Sequence, residues 1–268
     1  MEIIVVDDHS TKDDPGKVVS RLAGDRVRFI RQPQNVGKAR NYETGIAASR
    51  GKLIHQLHGD DLVKPGFYDS TKKAFELCPE VGAVFCESEY IDSNGNVTGR
   101  TGREREATGL IDNWPQRIIT AQRIQTPSIV VRREVYEKLG AFDRRLTHAE
   151  DWEMWIRIAL HFSVGFNAEG MAQYRCYTEN TSSLGILSGT QLSIFRQLLR
   201  IVDGYIPSDL RNECACARAE ALAHFFIRWL PVAVKNRSLT CWLKLCREIL
   251  QYKCSPRVLY YMLVFTLR

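Results

Sequence analysis

The first 90 residues alternate between short apolar runs and segments whose apolar residues recur at helical spacing. Ile3–Val6 is a continuous, β-branched run that ends in a polar turn, as buried parallel strands do. Such alternation predicts an α/β domain with a mostly parallel central sheet. The predicted order is strand 3–6, helix 18–23, strand 27–30, helix 37–49, strand 52–57, helix 65–78 and strand 81–86.

The pattern changes along the chain and becomes wholly helical near its end. A polar, glycine-bearing stretch at 99–109 predicts a loop, and a strand at 128–131 is followed by helices at 133–139 and 150–161. We therefore expect two regions, an α/β domain over 1–190 and a helical region over 191–268. The helices predicted in the second region cover 191–202, 209–232, 238–252 and the apolar segment 258–267.

Composition is that of a globular protein, but the charge is uneven. The 268 residues are 44% hydrophobic and 25% charged, with a net charge of +6. From Gln191 onward, 12 Lys and Arg against 5 Asp and Glu give +7, and the remaining 25 against 26 give −1. By charge alone, this basic tail could meet nucleic acid or an anionic membrane surface, or it is a helical layer with solvated cations. Of these two partners we expect the membrane surface and no nucleic acid.

Cysteines and the first residues bear on the compartment. No basic segment leads into a long apolar stretch, and no apolar run reaches the roughly 18 residues of a membrane span. The eight cysteines form no pair of CxxC knuckles. The simplest expectation is a cytoplasmic protein with reduced thiols, either free in the cytoplasm or peripheral at the inner face of the cell membrane.

Three acidic pairs follow predicted strands or open a helix: Asp7-Asp8, Asp60-Asp61 and Glu150-Asp151. Ligands of open α/β sheets bind beyond the carboxyl ends of the strands, where two of these pairs are predicted to lie. Carboxylates that converge repel one another unless a cation or a proton holds them. Their oxygen atoms suit Mg²⁺ or Mn²⁺, and a divalent ion with a pyrophosphate is the predicted occupant.

Four motifs in this order resemble the inverting family-2 glycosyltransferases of the GT-A, Rossmann-like fold. They are the strand and turn at 3–11, Asn35–Asn41, Leu57–Asp61 and Glu150–Trp155. Tyr174-Arg175, followed by Asn180-Thr181-Ser182, resembles the usual close of the catalytic domain. The resemblance covers about residues 1–185, and the set is far more specific than any one motif.

The resemblance implies a nucleotide-sugar donor, with uracil the expected base. Asp8 would accept the imide N–H of the base, although Asp residues in such turns also cap their own backbone. Arg40 would face the nucleotide or would be a solvated helix residue. Lys38 has weaker support, and Asp7 belongs to the same group with a mainly structural expectation.

The metal site implied by the resemblance centres on Asp60 and Asp61. Asp60 would contact the ribose or the ion, and Asp61 would coordinate the ion that bridges the two phosphates. A helix N-cap before Pro65 is the structural alternative for this pair.

The resemblance implies that Asp151 is the general base that deprotonates the acceptor, with Glu150 supporting it or binding the acceptor. A favourable charge at a helix start is the alternative for this pair. Trp152 and Trp155 could stack on a sugar ring, although at this spacing at least one is expected in the core. His148 could line the site.

Two features depart from the family pattern. Family members usually begin with an additional strand and helix, and Met1 falls almost directly on their second strand. We therefore expect a chain that starts late, with an unfilled sheet position and unpaired backbone groups. Many members also carry Asp where this chain has His58, which affects the expected metal dependence.

Taken together, the sequence predicts inverting transfer from a nucleotide-diphosphate sugar to a saccharide or lipid-linked acceptor. The context implied by the resemblance is bacterial surface polysaccharide synthesis. The alternative is a truncated, inactive nucleotide-sugar-binding or interaction protein. A dehydrogenase is disfavoured because no Gly-x-Gly-x-x-Gly follows the first strand.

Overall fold

A computed structural model describes residues 1–176 and 190–266. It divides the chain into two compact units. The first comprises 1–90, 97–112 and 124–174, and the second comprises 91–96, 113–123 and 175–268. The predicted Asn180–Ser182 motif lies outside the described residues, and the predicted domain boundary near residue 190 stays a prediction.

The strands form two hydrogen-bonded sheets. β1 and β2 make a two-stranded sheet, and the larger sheet has the order β3-β8-β5-β9-β4, with β6 beside β5 and β7 beside β9. The strands are β1 Ile4–Asp7, β2 Arg28–Arg31, β3 Leu53–His55, β4 Leu62–Val63, β5 Val81–Ile91, β6 Val97–Arg100, β7 Gly109–Leu110, β8 Ile129–Arg132 and β9 Ser163–Arg175.

The α/β fold class is confirmed, but the larger sheet is not mostly parallel. β1 and β2 run parallel, whereas β8 is antiparallel to both β3 and β5, and β9 is antiparallel to β4 and β7. β3 and β5 therefore share one direction, as expected for strands joined through a helix. The physical reason for the difference is that β8, which comes later in the chain, is inserted between them.

A cavity of about 500 Å³ lies between β1 and β3. Ile4 and Val6 of β1 line it, and so do Ile54 and His55 of β3. In the described hydrogen-bond pattern, β1 pairs with β2 and β3 pairs with β8, and the two strands are not paired with each other. The cavity thus lies between the two sheets, and the predicted unfilled strand position stays a prediction.

One helix of the first unit, Phe67–Leu77, packs an apolar face against the larger sheet, whereas the helices Pro15–Ala23 and Lys38–Ala48 contact the two-stranded sheet. Phe67, Ala74 and Phe75 form a buried cluster with Val84 and Val130. This burial fixes the strand ends, and therefore the loops that leave them, in place. The helices are α1 Pro15–Ala23, α2 Lys38–Ala48, α3 Phe67–Leu77, α5 Arg133–Leu139 and α6 Glu150–His161.

The second unit is helical, as predicted for the region after residue 190. It also includes α4, Trp114–Thr120, to which the sequence pattern assigned no element. This helix belongs to the second unit because it packs against the helix Ser208–Ile227, nearly a hundred residues later in the chain. Among the described residues, no helix is both long and apolar enough to cross a membrane. The remaining helices are α7 Thr190–Asp203, α8 Ser208–Ile227, α9 Leu230–Lys235, α10 Leu239–Tyr252 and α11 Pro256–Thr266.

Candidate active site

The turn after β1 is built by Asp7. Its side chain is buried, and Oδ1 accepts hydrogen bonds from the backbone N–H and the hydroxyl of Ser10. Nε of Arg31 lies 3.6 Å from Oδ2. These contacts give Asp7 a structural role in the turn, and a nucleotide contact for it stays a prediction.

Asp8 joins this turn to the start of α2. Its Oδ1 accepts from the N–H of Val36 at 2.7 Å, and its Oδ2 accepts from the N–H of Gly37 at 3.0 Å. Gly37 has φ +82°, a left-handed conformation that favours glycine. Asp8 therefore fixes how α2 enters, and its predicted contact with a uracil base would have to use the remaining lone pairs.

Helix α2 carries the two basic candidates to different surroundings. Arg40 is exposed, as a group that meets a ligand from solution would be. Lys38 is half-buried, and its Nζ lies 2.8 Å from Oε1 of Glu150. Lys38 thus links α2 to the first turn of α6, and a direct role in nucleotide binding stays a prediction.

Of the acidic pair at the start of α6, Glu150 is buried and Asp151 is half-buried. Glu150 is 4% exposed, and burial followed by the charge of Asp151 raises the pKa of Glu150 to about 6, with Lys38 opposing the shift. Oδ1 of Asp151 accepts from the N–H of Trp152 at 2.7 Å, and Oδ2 accepts from the Thr126 hydroxyl at 3.4 Å. Asp151 is half-buried, so the carboxylate is oriented and still accessible.

The residue before this pair has a strained backbone. Ala149 has φ +60°, a left-handed conformation that costs a non-glycine residue on the order of 1 kcal/mol. Its position aims the first turn of α6, where Glu150 and Asp151 lie. Strain of this kind persists only where surrounding contacts over-determine the backbone, and the ion pair to Lys38 is one such contact.

His58, Asp60 and Asp61 form a cluster after β3. One ligand atom from each lies within 4.8 Å of the other two. Asp61 is buried and Asp60 is exposed, so the cluster faces solvent on one side. This geometry and this set of donor atoms fit a divalent cation.

Tyr42 lies near both acidic pairs, and it was not among the residues predicted for the site. Its ring stacks on His58, with centroids 5.4 Å apart and an interplanar angle of 16°. Burial raises the pKa of Tyr42, and the charges of Glu150, Asp151, Asp60 and Asp61 raise it further. The signal that could have found it is spacing, because Tyr42 lies one helical turn after Lys38.

The residues predicted to contact the acceptor differ in their exposure to solvent. Trp152 and Trp155 are 4% and 1% exposed, which corrects the expectation that one of them offers a ring to a sugar. The reason is their i, i+3 spacing, which puts both on the helix face that packs into the core. His148 is half-buried; burial and then Lys38 lower its pKa, while Asp151 opposes them, and a contact with the acceptor stays a prediction.

Comparison with known proteins bears directly on this arrangement. The sequence profile described as "Glycosyl transferase family 2" matches residues 1–140, a stretch that contains β1, α2 and the His58–Asp61 cluster. The chain belongs to glycosyltransferase family 2. The predicted family is thereby confirmed, and three of the four motifs that suggested it lie inside the matched range.

Curated relatives of this family-2 chain include an uncharacterized protein of Mycobacterium tuberculosis, 27% identical over 80% of this chain and 70% of its own length. An uncharacterized glycosyltransferase of Methanocaldococcus jannaschii is 26% identical over 65% of the chain. The O-antigen biosynthesis protein RfbC of Myxococcus xanthus is 22% identical over 59%. The chain spans only 59% of the M. jannaschii protein and 12% of RfbC.

Solved structures confirm the GT-A fold. S. aureus TarS, residues 1–349 in complex with UDP-GlcNAc, matches 99% of this chain and 79% of its own chain, with a TM-score of 0.66 at 16% identity. GalNAc-T7 with UDP, GalNAc and Mn²⁺ matches 83% of this chain and 45% of its own, with a TM-score of 0.56 at 14% identity. The first of these structures holds UDP-GlcNAc, and the second holds UDP, GalNAc and Mn²⁺.

Proposed function

We propose that the chain binds a uridine-diphosphate sugar and transfers the sugar to a hydroxyl of a saccharide or lipid-linked acceptor with inversion. The observation that carries this proposal is that two acidic groups lie near Tyr42, one stacked on its ring through His58 and both close enough to raise its pKa. One, His58–Asp61, has the composition of a metal and diphosphate site. The other presents an oriented, accessible carboxylate at Asp151. Binding of UDP-GlcNAc by TarS and of UDP with Mn²⁺ by GalNAc-T7 supports a donor of this class.

The donor half of the site follows from the residues around β1, α2 and β3. Asp8 and Arg40 would contact the nucleotide, and Asp60 would contact the ribose or the ion. Asp61 and Asp60 would hold Mg²⁺ or Mn²⁺, since carboxylate oxygens are suitable ligands for both. When bound there, the ion would neutralise the charge that develops on the leaving diphosphate.

The acceptor half of the site is the start of α6. Asp151 would take the proton of the acceptor hydroxyl while that oxygen forms a bond to C1 of the sugar. The bond from C1 to the diphosphate oxygen breaks in the same displacement, and UDP leaves with the electron pair. Attack from the opposite face inverts the anomeric carbon. The Lys38–Glu150 ion pair holds the helix start in position, and His148 would approach the acceptor.

The biological setting is proposed from relatives rather than from the site. RfbC is described as an O-antigen biosynthesis protein, and another relative that is 25% identical is described as a chondroitin synthase of Escherichia coli. Synthesis of a surface polysaccharide, on the cytoplasmic side of the membrane, is consistent with both descriptions. A membrane-surface role for the basic tail belongs to the same proposal.

The proposal is tested by calorimetric binding of UDP with and without Mn²⁺. We expect metal-dependent binding in the natural chain and its loss in Asp61→Ala. The matched control is Asp25→Ala, which removes an exposed carboxylate from the turn after α1. Absence of UDP binding by a folded natural chain would contradict the proposal for this nucleotide, and dTDP and GDP would then be compared.

Turnover distinguishes a transferase from an inactive binder. Release of UDP from UDP-GlcNAc and other UDP-sugars is measured with candidate saccharide acceptors for the natural chain and for Asp151→Asn. Removal of a general base costs roughly 10²–10⁴-fold in rate, and UDP binding should be unchanged. Equal rates in the two proteins would remove Asp151 from the chemistry. Nucleotide binding without turnover in either protein would support the inactive-binder alternative.

A further inference from the structure

The His58 side chain lies where it can act as a metal ligand together with Asp60 and Asp61. Its Nδ1 lies 3.4 Å from Oδ2 of Asp61, and the cluster brings an oxygen of Asp60 within 4.8 Å of both ligand atoms. Two ligands at right angles on an ion at about 2.1 Å lie about 3 Å apart, and opposed ligands lie about 4.2 Å apart. An ion can therefore be seated among the three side chains with adjustments of a few tenths of an ångström.

The imidazole ring is held on its face and on its far edge. Tyr42 stacks on it at a centroid distance of 5.4 Å, and Nε2 of Gln56 lies 3.3 Å from Nε2 of His58. Oε1 of Gln56 is buried and has no hydrogen-bond partner among the described residues. A half-turn of the amide would bring this oxygen to the imidazole. Gln56 then accepts from Nε2–H, which leaves Nδ1 as the lone-pair donor to an ion.

This arrangement matches what histidine ligands require. A metal-bound imidazole almost always donates its other N–H to an acceptor, which fixes the tautomer and the ring orientation. Imidazole nitrogen favours first-row transition ions, whereas Mg²⁺ prefers oxygen and keeps its water shell. Mn²⁺ accepts carboxylate oxygen as readily as Mg²⁺ does, so a single nitrogen ligand is enough to make the site bind Mn²⁺ in preference to Mg²⁺.

We propose that His58 coordinates the ion through Nδ1, positioned by Tyr42 and Gln56, and that this nitrogen ligand makes the site prefer Mn²⁺ to Mg²⁺. The inference rests on the proposed donor site and adds the identity of its ion. A histidine also contributes no negative charge, so the cluster carries two carboxylate charges where an aspartate at this position would give three. The lower charge weakens the binding of both ions, and the nitrogen ligand is what favours Mn²⁺ over Mg²⁺.

The test reads the ligand atom directly. Mn²⁺ binding is titrated by electron paramagnetic resonance with and without UDP, and pulsed measurements on the bound ion detect coupling to a coordinated imidazole nitrogen. We expect this coupling in the natural chain, its absence in His58→Asp, and its retention in His148→Gln, which removes the imidazole predicted for the acceptor half of the site. Mg²⁺ should displace Mn²⁺ about tenfold more readily from His58→Asp than from the natural chain.

The outcomes separate this inference from the proposed function. Bound Mn²⁺ without nitrogen coupling overturns the inference, even where UDP binding is metal-dependent and the proposed function stands. Nitrogen coupling lost in His58→Asp supports it, even where no nucleotide binds and the proposed function fails. A folded chain that binds no Mn²⁺ with or without UDP overturns it as well. Coupling that survives in His58→Asp and disappears in His148→Gln would show that His148 supplies the coordinating nitrogen, and it would overturn the inference.

Discussion

At the scale of single residues, Glu150 is a carboxyl group that the fold makes hard to ionise. Burial and the adjacent Asp151 raise its pKa from 4.5 to about 6, against the opposing charge of Lys38. The folded chain therefore holds this proton more tightly than the unfolded chain. The stability that comes from the shift is complete below about pH 4.5 and is lost as the pH rises through 6.

Glu150→Gln should remove this pH dependence. Denaturant unfolding of both proteins between pH 4 and 8 should show the natural chain losing about 2 kcal/mol more than the variant across that window. At pH 7 the variant should be at least as stable, because Lys38 is partly exposed and can be solvated. Glu137→Gln, an exposed glutamate on α5, is the control. A parallel pH profile for Glu150→Gln would show that the carboxyl group is not perturbed by the fold.

The sequence predicts a site residue where that residue belongs to a short, recognisable motif. Asp8, Asp60, Asp61 and Asp151 lie in segments of five to nine residues that are recognisable from the sequence alone, and their roles stay predictions. Tyr42 was missed as a site residue because its neighbours His58 and Glu150 are distant from it in the sequence. For the tryptophans of α6, the expectation that at least one lies in the core was correct, and the burial of both could not be read from their place in a motif.

At the scale of elements, Glu89 ties four parts of the larger sheet together. It is 1% exposed on β5, and its carboxylate accepts from Lys64 at 2.7 Å, Arg100 of β6 at 2.8 Å and Gln173 of β9 at 3.0 Å. These bonds, first of all the one from Lys64, lower the pKa of Glu89. The stability that they supply is present above the unfolded pKa of 4.5 and is lost as the pH falls through the folded value.

Glu89→Gln should therefore destabilise the chain at neutral pH by about 1–3 kcal/mol, because charge-assisted hydrogen bonds are lost inside the sheet. The cost should shrink as the pH falls toward 3, where the natural side chain takes up a proton. Thermal unfolding at pH 7 and at pH 3.5 tests both parts. Glu106→Gln removes a 95% exposed partner of Arg103 and should have no measurable effect. A loss that is equal at both pH values would rule out ionisation as the cause.

Much of the element order was readable from the sequence, and the failures have a common physical origin. Helices α5 and α6 begin and end where their patterns predicted. Strand β9 was missed because Gly165 and Gly170 look like breaks in the pattern. Gly170 is required by a close approach, since a Cβ there would lie 2.5 Å from the Asn167 amide and 3.1 Å from Cys86. The insertion of β8 between β3 and β5 was missed because local pattern does not encode strand order.

At the scale of the whole molecule, the basic helical region offers an exposed apolar surface that suits an anionic membrane. Leu259, Tyr260 and Leu263 of α11 are 48%, 64% and 63% exposed, at spacings that put Leu259 and Leu263 on one helix face. The sequence from residue 191 onward carries a net charge of +7. An apolar face with surrounding cations is the combination that lies flat in a lipid interface. We expect the chain to bind vesicles that contain anionic lipid, and to bind neutral vesicles poorly.

Cosedimentation with vesicles tests this expectation, with Leu259→Ser and Leu263→Ser combined in one chain. Two leucine side chains withdrawn from the interface should weaken binding about tenfold or more. The matched control is Leu77→Ser, which removes a 64% exposed leucine from α3 of the other unit and should leave binding unchanged. Raised salt should also weaken binding, because attraction between the tail and the lipid charge is screened within about 10 Å at 0.1 M. Binding that ignores lipid charge, or that survives the double substitution, would show that this surface serves another contact. Self-association of the natural chain, abolished by the same two substitutions, would identify that contact as a second copy.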